Sequence, residues 1–255
     1  MYIFVFESLR ENDPKTGEII QTFLEKENIP SEFHHFHTRD ELFALLEIVK
    51  VKASNADFQP IVHFDCHGNS DGIGAIGLDN REEFISWDDI LDKFIEIYQA
   101  SKKKSVISMS SCEGFNATKM IGKGKPCPYN YVCGSFGKIS FEDSFKAFSK
   151  FYKNIQEGAS IFDAAVAIHN NADLSHMNFM AIDSTTLFSM MMDGYIRDQL
   201  SEIKLAERKA YLLAILKITD PIPSPEQLDY LDKACSIEGH QQILDYYKYV
   251  FFSFD

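Results

Sequence analysis

Pro60-Ile61-Val62-His63-Phe64-Asp65-Cys66-His67-Gly68 reads as a buried strand running straight into a histidine and a glycine. Apolar residues fill both parities of the run, as in a strand covered on both faces of a parallel sheet. Forty-five residues beyond His67 the pattern repeats, with Ser105 to Ser110 apolar enough for another strand that ends in Ser111-Cys112-Glu113-Gly114. Working outward, Tyr2 to Phe6, Phe33 to His37, Tyr129 to Cys133 and Met177 to Ile182 are further strands. Ile73 to Leu78 and Glu83 to Ile85, parted by Asp79-Asn80, predict a small hairpin.

Helical periods lie between these strands. Ile19, Ile20, Phe23 and Leu24 recur at helical spacing up to Pro30, and Thr38 with Glu41 carries the signature of a capping box. Ser86 and Asp89 open a helix bearing Ile90, Leu91, Phe94, Ile97 and Tyr98. Phe141, Phe145, Phe148, Phe151, Tyr152 and Ile155 form another apolar face, with Gly158 as its C-terminal glycine, and Ser160 and Asp163 open the next helix. Strands alternating with helices predict an α/β fold: a doubly wound, mostly parallel six-stranded sheet with helices on both faces. After Asp183 strand signals stop. Residues 184 to 220 read as helix, Pro221-Ile222-Pro223-Ser224-Pro225 breaks the chain, and helix resumes. The expected division is a core over 1–183 and a helical C-terminal appendage over 184–255.

The composition narrows the function classes. With 45% hydrophobic and 25% charged residues over 255 positions, a real core can be buried. No window approaches 18 uninterrupted apolar residues, and Glu7 and Arg10 follow the first apolar run at once, so neither a membrane span nor a signal peptide is expected. Five cysteines, an odd number without paired spacing, suggest reduced thiols and a cytoplasmic setting. A net charge of −13 repels phosphate backbones and anionic lipid, which argues against nucleic acid and membranes as partners.

In an open parallel sheet, sites form beyond the carboxyl ends of the strands. His67-Gly68 and Cys112-Glu113-Gly114 both occupy such ends. If their strands are neighbours, the imidazole can act as base toward the thiol, which needs help to become thiolate at neutral pH. The N–H groups of Gly68 and Cys112 can form an oxyanion hole. The plainer reading is that Cys112, like most cysteines, is a small buried hydrophobe. A third reading groups His63, Cys66, His67 and Cys112, whose ligand types suit zinc.

The ordered motifs carry a resemblance. His63-Phe64-Asp65-Cys66-His67-Gly68 resembles the His-Gly motif of clan CD (caspase-like) cysteine peptidases, and Val106 to Gly114 resembles the strand-to-nucleophile motif of CHAT-domain proteins. Cys133-Gly134-Ser135, the acidic loop through Glu142-Asp143, and Gly158-Ala159-Ser160 are similar to the next CHAT block. The resemblance spans about residues 1 to 183. It implies a caspase-like core and a cysteine endopeptidase working through a Cys112–His67 dyad and a thioester, with Gly68 and Cys112 as oxyanion donors and no cofactor. It also implies a peptide or protein substrate, regulation by a partner or ligand, and Asp143 with Glu142 meeting a basic side chain before the cut. A catalytically silent caspase-like module that binds peptides is the alternative. Self-cleavage near Lys123 or Lys125 would follow from the caspase pattern, although Gln-Ala-Cys-x-Gly is absent and cleavage after aspartate is not implied.

Other features read as structural. Alternation splits His34, His35 and His37 across a strand, which disfavours a metal site there. His63 reads as packed, Trp87 as core, and Met190, Met191 and Met192 as packing in the appendage or as a partner surface. Gly122-Lys123-Gly124-Lys125 lacks phosphate-loop spacing. Glu142 and Asp143 also fit a plainer role, complementing the dipole of the helix they begin.

Overall fold

A computed structural model describes residues 1–55, 58–121 and 124–252. In chain order, β1 (Tyr2–Ser8), α1 (Thr16–Lys26), β2 (Ser31–His35), α2 (Arg39–Asn55) and β3 (Pro60–Asn69) come first. The hairpin β4 (Gly72–Ile76) and β5 (Glu82–Ser86) leads to α3 (Trp87–Ser101), β6 (Ser105–Ser110) and β7 (Tyr129–Ser135). Then follow α4 (Phe141–Gln156), α5 (Ile161–His169) and β8 (Phe179–Asp183). The strands form one mixed sheet in the order β2-β1-β3-β6-β7-β8, parallel from β2 through β7, with β8 antiparallel at the edge. β4 pairs antiparallel with the last residues of β3 and carries β5 beyond it. The chain is therefore α/β, with a mostly parallel sheet flanked by helices.

Period-two alternation divides β1, β3 and β6 between two helical layers. Ile3, Val5, Ile61, Val106 and Cys133 face one way and are covered by Ile20 and Leu24 of α1, Phe148, Phe151 and Tyr152 of α4, and Ala164 and Ile168 of α5. The alternate residues, among them Phe4, Phe6, Val62, Phe64 and Ile107, are as fully buried, and Phe64 meets Phe94 of α3 edge-on at 6.3 Å. Each large apolar side chain so buried contributes about 1.5–3 kcal/mol.

Most helix starts are the predicted ones. Ser86 and Asp89 close a reciprocal capping box, and the hydroxyls of Ser140 and Ser160 accept from the amides of Asp143 and Asp163. At α2 the Thr38 hydroxyl accepts from the Glu41 amide at 3.2 Å, but the Glu41 carboxylate accepts from His37 N–H at 2.7 Å, so the box closes one residue early. Several strand boundaries also differ by a residue or two. β2 stops at His35, although the Phe36 amide still donates to the Glu7 carbonyl of β1 at 3.0 Å. Ser175–Met177 is a short 3-10 turn ending at left-handed Asn178, so β8 begins only at Phe179.

The described chain divides into two compact units, Met1–Ser184 and a helical unit from Thr185 onward. The second consists of most of α6 (Ser184–Gln199) with α7 (Glu202–Thr219), α8 (Pro225–Ala234) and α9 (Ile237–Phe252). Pro225 takes the first position of α8, where its missing N–H costs nothing, behind a Ser224–Gln227 capping box. Phe188 packs against Phe251 at 4.9 Å, and buried His240 meets Arg208 Nη1 at 2.9 Å. Met190 and Met191 do not pack as expected: α6 turns both outward, and they are exposed. No described helix is long and apolar enough to cross a membrane.

Candidate active site

Toward the carboxyl edge of the sheet, the layer facing α1 and α4 turns from apolar to polar. Register places Glu7 beside Asp65 and Asp65 beside Ser110, so these three share a face across β1, β3 and β6. One step deeper, His63 sits beside Ser108. His63 is fully buried, with Nδ1 2.8 Å from the Tyr152 hydroxyl and its ring edge-on to Phe148 at 4.7 Å. Burial alone pushes its pKa down to about 3, so this histidine is neutral and structural. Asp65 is nearly as enclosed, and burial pushes its carboxyl up to about 7 although the Ser110 hydroxyl donates to it at 3.2 Å. Ser110 also shares a 2.5 Å hydrogen bond with Ser144 in the first turn of α4.

Two residues beyond the Asp65–Ser110 pair lie His67 and Cys112, at the carboxyl ends of adjacent parallel strands. Cys112 and Glu113 are the central residues of a tight turn closed by Gly114 N–H to the Ser111 carbonyl at 3.2 Å. Glu113 adopts a left-handed backbone, φ 56°, which costs a non-glycine residue about 1–2 kcal/mol. Its amide donates to the Gly137 carbonyl at 2.9 Å, tying the turn to the loop after β7. Two glycines pack closely at this turn, Gly68 against it and Gly114 within it. A Cβ on Gly68 would stand 3.0 Å from Ser111 Oγ and 3.2 Å from the Cys112 carbonyl oxygen, and one on Gly114 would collide with Met109 Cβ at 2.5 Å. Gly68 and Cys112 are thus in direct apposition. Of the five cysteines, all free, Cys112 alone is not buried.

Three residues that sequence reasoning missed complete the surroundings of His67. Ser8 is in register with Cys66, so the loop after β1 emerges beside the end of β3. From that loop the Asp13 carboxylate lies 2.8 Å from His67 Nε2, and Arg10 Nη1 lies 2.9 Å from the same nitrogen. The other arm of the Arg10 guanidinium donates to Glu82 of β5 at 3.0 Å. Burial raises the Asp13 carboxyl, but contact with His67, the hydrogen bond from the Arg10 amide and the charge of the nearby guanidinium outweigh it and hold the group below its ordinary range.

Asp143 accepts from the Ser140 hydroxyl at 2.7 Å and pairs with His176 at 3.1 Å, and these contacts, in that order, lower its pKa. Its side chain is 24% exposed, so it is accessible from solvent and not sealed in a pocket. Glu142 is exposed and paired with Lys146 at 2.6 Å. His63, Cys66, His67 and Cys112 do not converge: Cys66 alternates to the face opposite His63 and His67, where burial, with the charges of Asp65 and Glu82, pushes its thiol well up. Among the described residues, the group spaced for a metal is Glu7, Glu18 and His35, its ligand atoms within 4.8 Å of one another. Each nitrogen of His35 faces a different carboxylate at 3.4 Å, so the ring bridges the two acids. Gly122 and Lys123 lie outside the described residues, and Lys125 pairs with Asp92.

No family model matches this chain, and no curated protein does. Among solved structures, an aromatic amino acid aminotransferase with 3-indolepropionic acid aligns with 90% of this chain at 12% identity and a TM-score of 0.30. This chain covers 57% of that structure's length, and a similarity of that size carries no argument about fold or chemistry.

Proposed function

We propose that the unit Met1–Ser184 is a caspase-like cysteine endopeptidase with Cys112 as nucleophile and His67 as base. The observation that carries the reading is the apposition of Gly68 and Cys112 on adjacent parallel strand ends, 3.2 Å from a Gly68 Cβ position to the Cys112 carbonyl, with His67 at hydrogen-bond distance from an acid. The strand order, with its antiparallel last strand and a hairpin after the histidine strand, supports a caspase-like core. Cys112 Sγ attacks the scissile carbonyl carbon as its proton passes to His67, and the N–H groups of Gly68 and Cys112 receive the oxyanion. Collapse breaks the C–N bond, His67 returns the proton to the leaving amine, and a thioester remains. Water, losing a proton to His67, attacks that thioester; the C–S bond breaks, the acid leaves and the thiol regains its proton. No cofactor enters this sequence.

The substrate in this reading is a peptide or protein cut after lysine or arginine, with Asp143 meeting the basic side chain once it is released from His176. A partner or ligand regulates the site, and five unpaired thiols suit a reducing, cytoplasmic setting. Peptide-library profiling tests the assignment. Wild type is expected to cut after Arg or Lys, Cys112→Ala to cut nothing, and Asp143→Ala to lose about 2 kcal/mol, or roughly 30-fold in kcat/KM, for basic substrates alone. Cutting after Asp or large apolar residues would remove Asp143 from the specificity site.

A further inference from the structure

We infer that Arg10 is a positioning residue that decides which nitrogen of His67 carries the proton, and that its guanidinium has to leave the ring before His67 can act as a base. The inference rests on the peptidase reading of His67 and Cys112. Two groups compete for one atom: Arg10 Nη1 stands 2.9 Å and Asp13 Oδ2 2.8 Å from Nε2 of His67. An imidazole nitrogen offers one in-plane position, filled either by a lone pair or by N–H. A lone pair on Nε2 accepts from Arg10 but faces the Asp13 carboxylate, whose Oδ2 then keeps only the Arg10 amide as donor; an N–H on Nε2 serves Asp13 and meets a guanidinium N–H head-on.

The two tautomers differ in what they leave for catalysis. With Arg10 bound, the proton of the neutral ring sits on Nδ1 and the lone pair on Nε2 is consumed, so neither nitrogen can take a thiol proton. With Asp13 bound, Nε2 carries the proton and the lone pair on Nδ1 is free. The imidazolium formed after proton transfer has N–H at both positions, and again only Asp13 fits it. Every working state of the ring therefore matches the carboxylate, and the one state that matches the guanidinium is idle.

The surroundings allow the exchange. The Arg10 amide donates to Asp13 Oδ2 at 2.9 Å, so carboxylate and guanidinium belong to one hydrogen-bonded turn. Arg10 is anchored at its far arm by Glu82, at 3.0 Å, and the two side chains are 44% and 41% exposed. The guanidinium can swing into solvent without disturbing packed atoms, while Asp13, 21% exposed, stays in place.

Nitrogen-15 spectra of the histidine rings report the tautomer directly, with the His67 signals assigned by their loss in His67→Gln. Wild type is expected to show the Nδ1–H form of His67. Arg10→Met moves the proton to Nε2 and speeds iodoacetamide alkylation of Cys112 at least about tenfold. Glu82→Gln, which loosens the anchor, shifts both readouts the same way by less, and Asp13→Ala keeps the proton on Nδ1. A tautomer unmoved by Arg10→Met and Glu82→Gln, or slower alkylation in either, overturns the role of Arg10. Failure of the peptidase reading looks different: the tautomer and alkylation rate respond as expected, but no variant cuts a peptide.

Discussion

Cys112 is the most exposed of the five cysteines, which makes its accessibility and its activation separable by experiment. Burial pushes the Cys127 thiol up to about 12 and the Cys66 and Cys133 thiols higher than their ordinary range, so none of these competes for a thiolate reagent. Brief iodoacetamide treatment at neutral pH should label Cys112 first by mass spectrometry. Exposure alone would produce that order, so adding His67→Ala to Arg10→Met, in which the proposed base is free of the guanidinium, is the informative arm: removing the imidazole there should slow Cys112 by about tenfold or more. An unchanged rate would reduce the selectivity to accessibility and remove His67 from the mechanism. His67 and Cys112 were legible in the sequence because each follows a long apolar run whose end is unambiguous. Arg10, Asp13 and Glu82 were not. Asp13-Pro14 reads as turn punctuation, and only the register of β1 with β3 brings that loop to the histidine. The signal that could have found Asp13 is its place just beyond the carboxyl end of a first buried strand.

Along β3 the alternate residues His63, Asp65 and His67 form a polar column, and its two buried members titrate in opposite senses. Folded His63 has its pKa near 3 against an ordinary 6.5, so below about pH 6.5 the unfolded chain takes a proton that the folded one refuses. Stability from His63 therefore falls as pH drops. Folded Asp65 titrates near 7 against an ordinary 3.8, so between these values the unfolded chain releases a proton that the folded one keeps. Its contribution falls as pH rises, and Glu7, raised first by burial and also by Glu18, adds to that fall. The slopes oppose each other between about pH 4 and 6.5, flattening the wild-type profile. Urea unfolding across that window should show stability declining more steeply with pH in His63→Phe, and rising with pH relative to wild type in Asp65→Asn. Identical pH slopes in all three proteins would mean these groups are not buried as the geometry has them. The strand was legible at this scale, because its apolar residues fill both parities. That Asp65 sits buried in it was not, since a carboxylate inside an apolar run has no local signature until Glu7 and Ser110 come into register beside it.

For the whole molecule, the decisive fact is that β3 and β6 are neighbours. Alternating strands and helices announced a mostly parallel sheet, and the loss of strand signals after Asp183 announced a change to helices, but strand order follows from closure of the sheet and has no local code. Neither did the sequence distinguish the two roles of the acids at the start of α4. Ser140 and His176 hold Asp143 through contacts that form only when α4 and the turn before β8 are both in place. A net charge of −13 attracts cationic groups at a distance, but beyond about 8 Å physiological salt screens it, so the proposed preference for basic peptides rests on side chains at the strand ends. The proposed reaction is covalent: a peptide's acyl group would pass through Cys112. Acid quenching of turnover with an Arg-containing peptide, followed by mass spectrometry of the digest, reads that step directly. The expected result is an acyl adduct on the segment carrying Cys112, removed by hydroxylamine as a thioester is and absent from Cys112→Ala, which also cuts nothing. Peptide cleavage that persists in Cys112→Ala, or an adduct on another residue, would contradict the account.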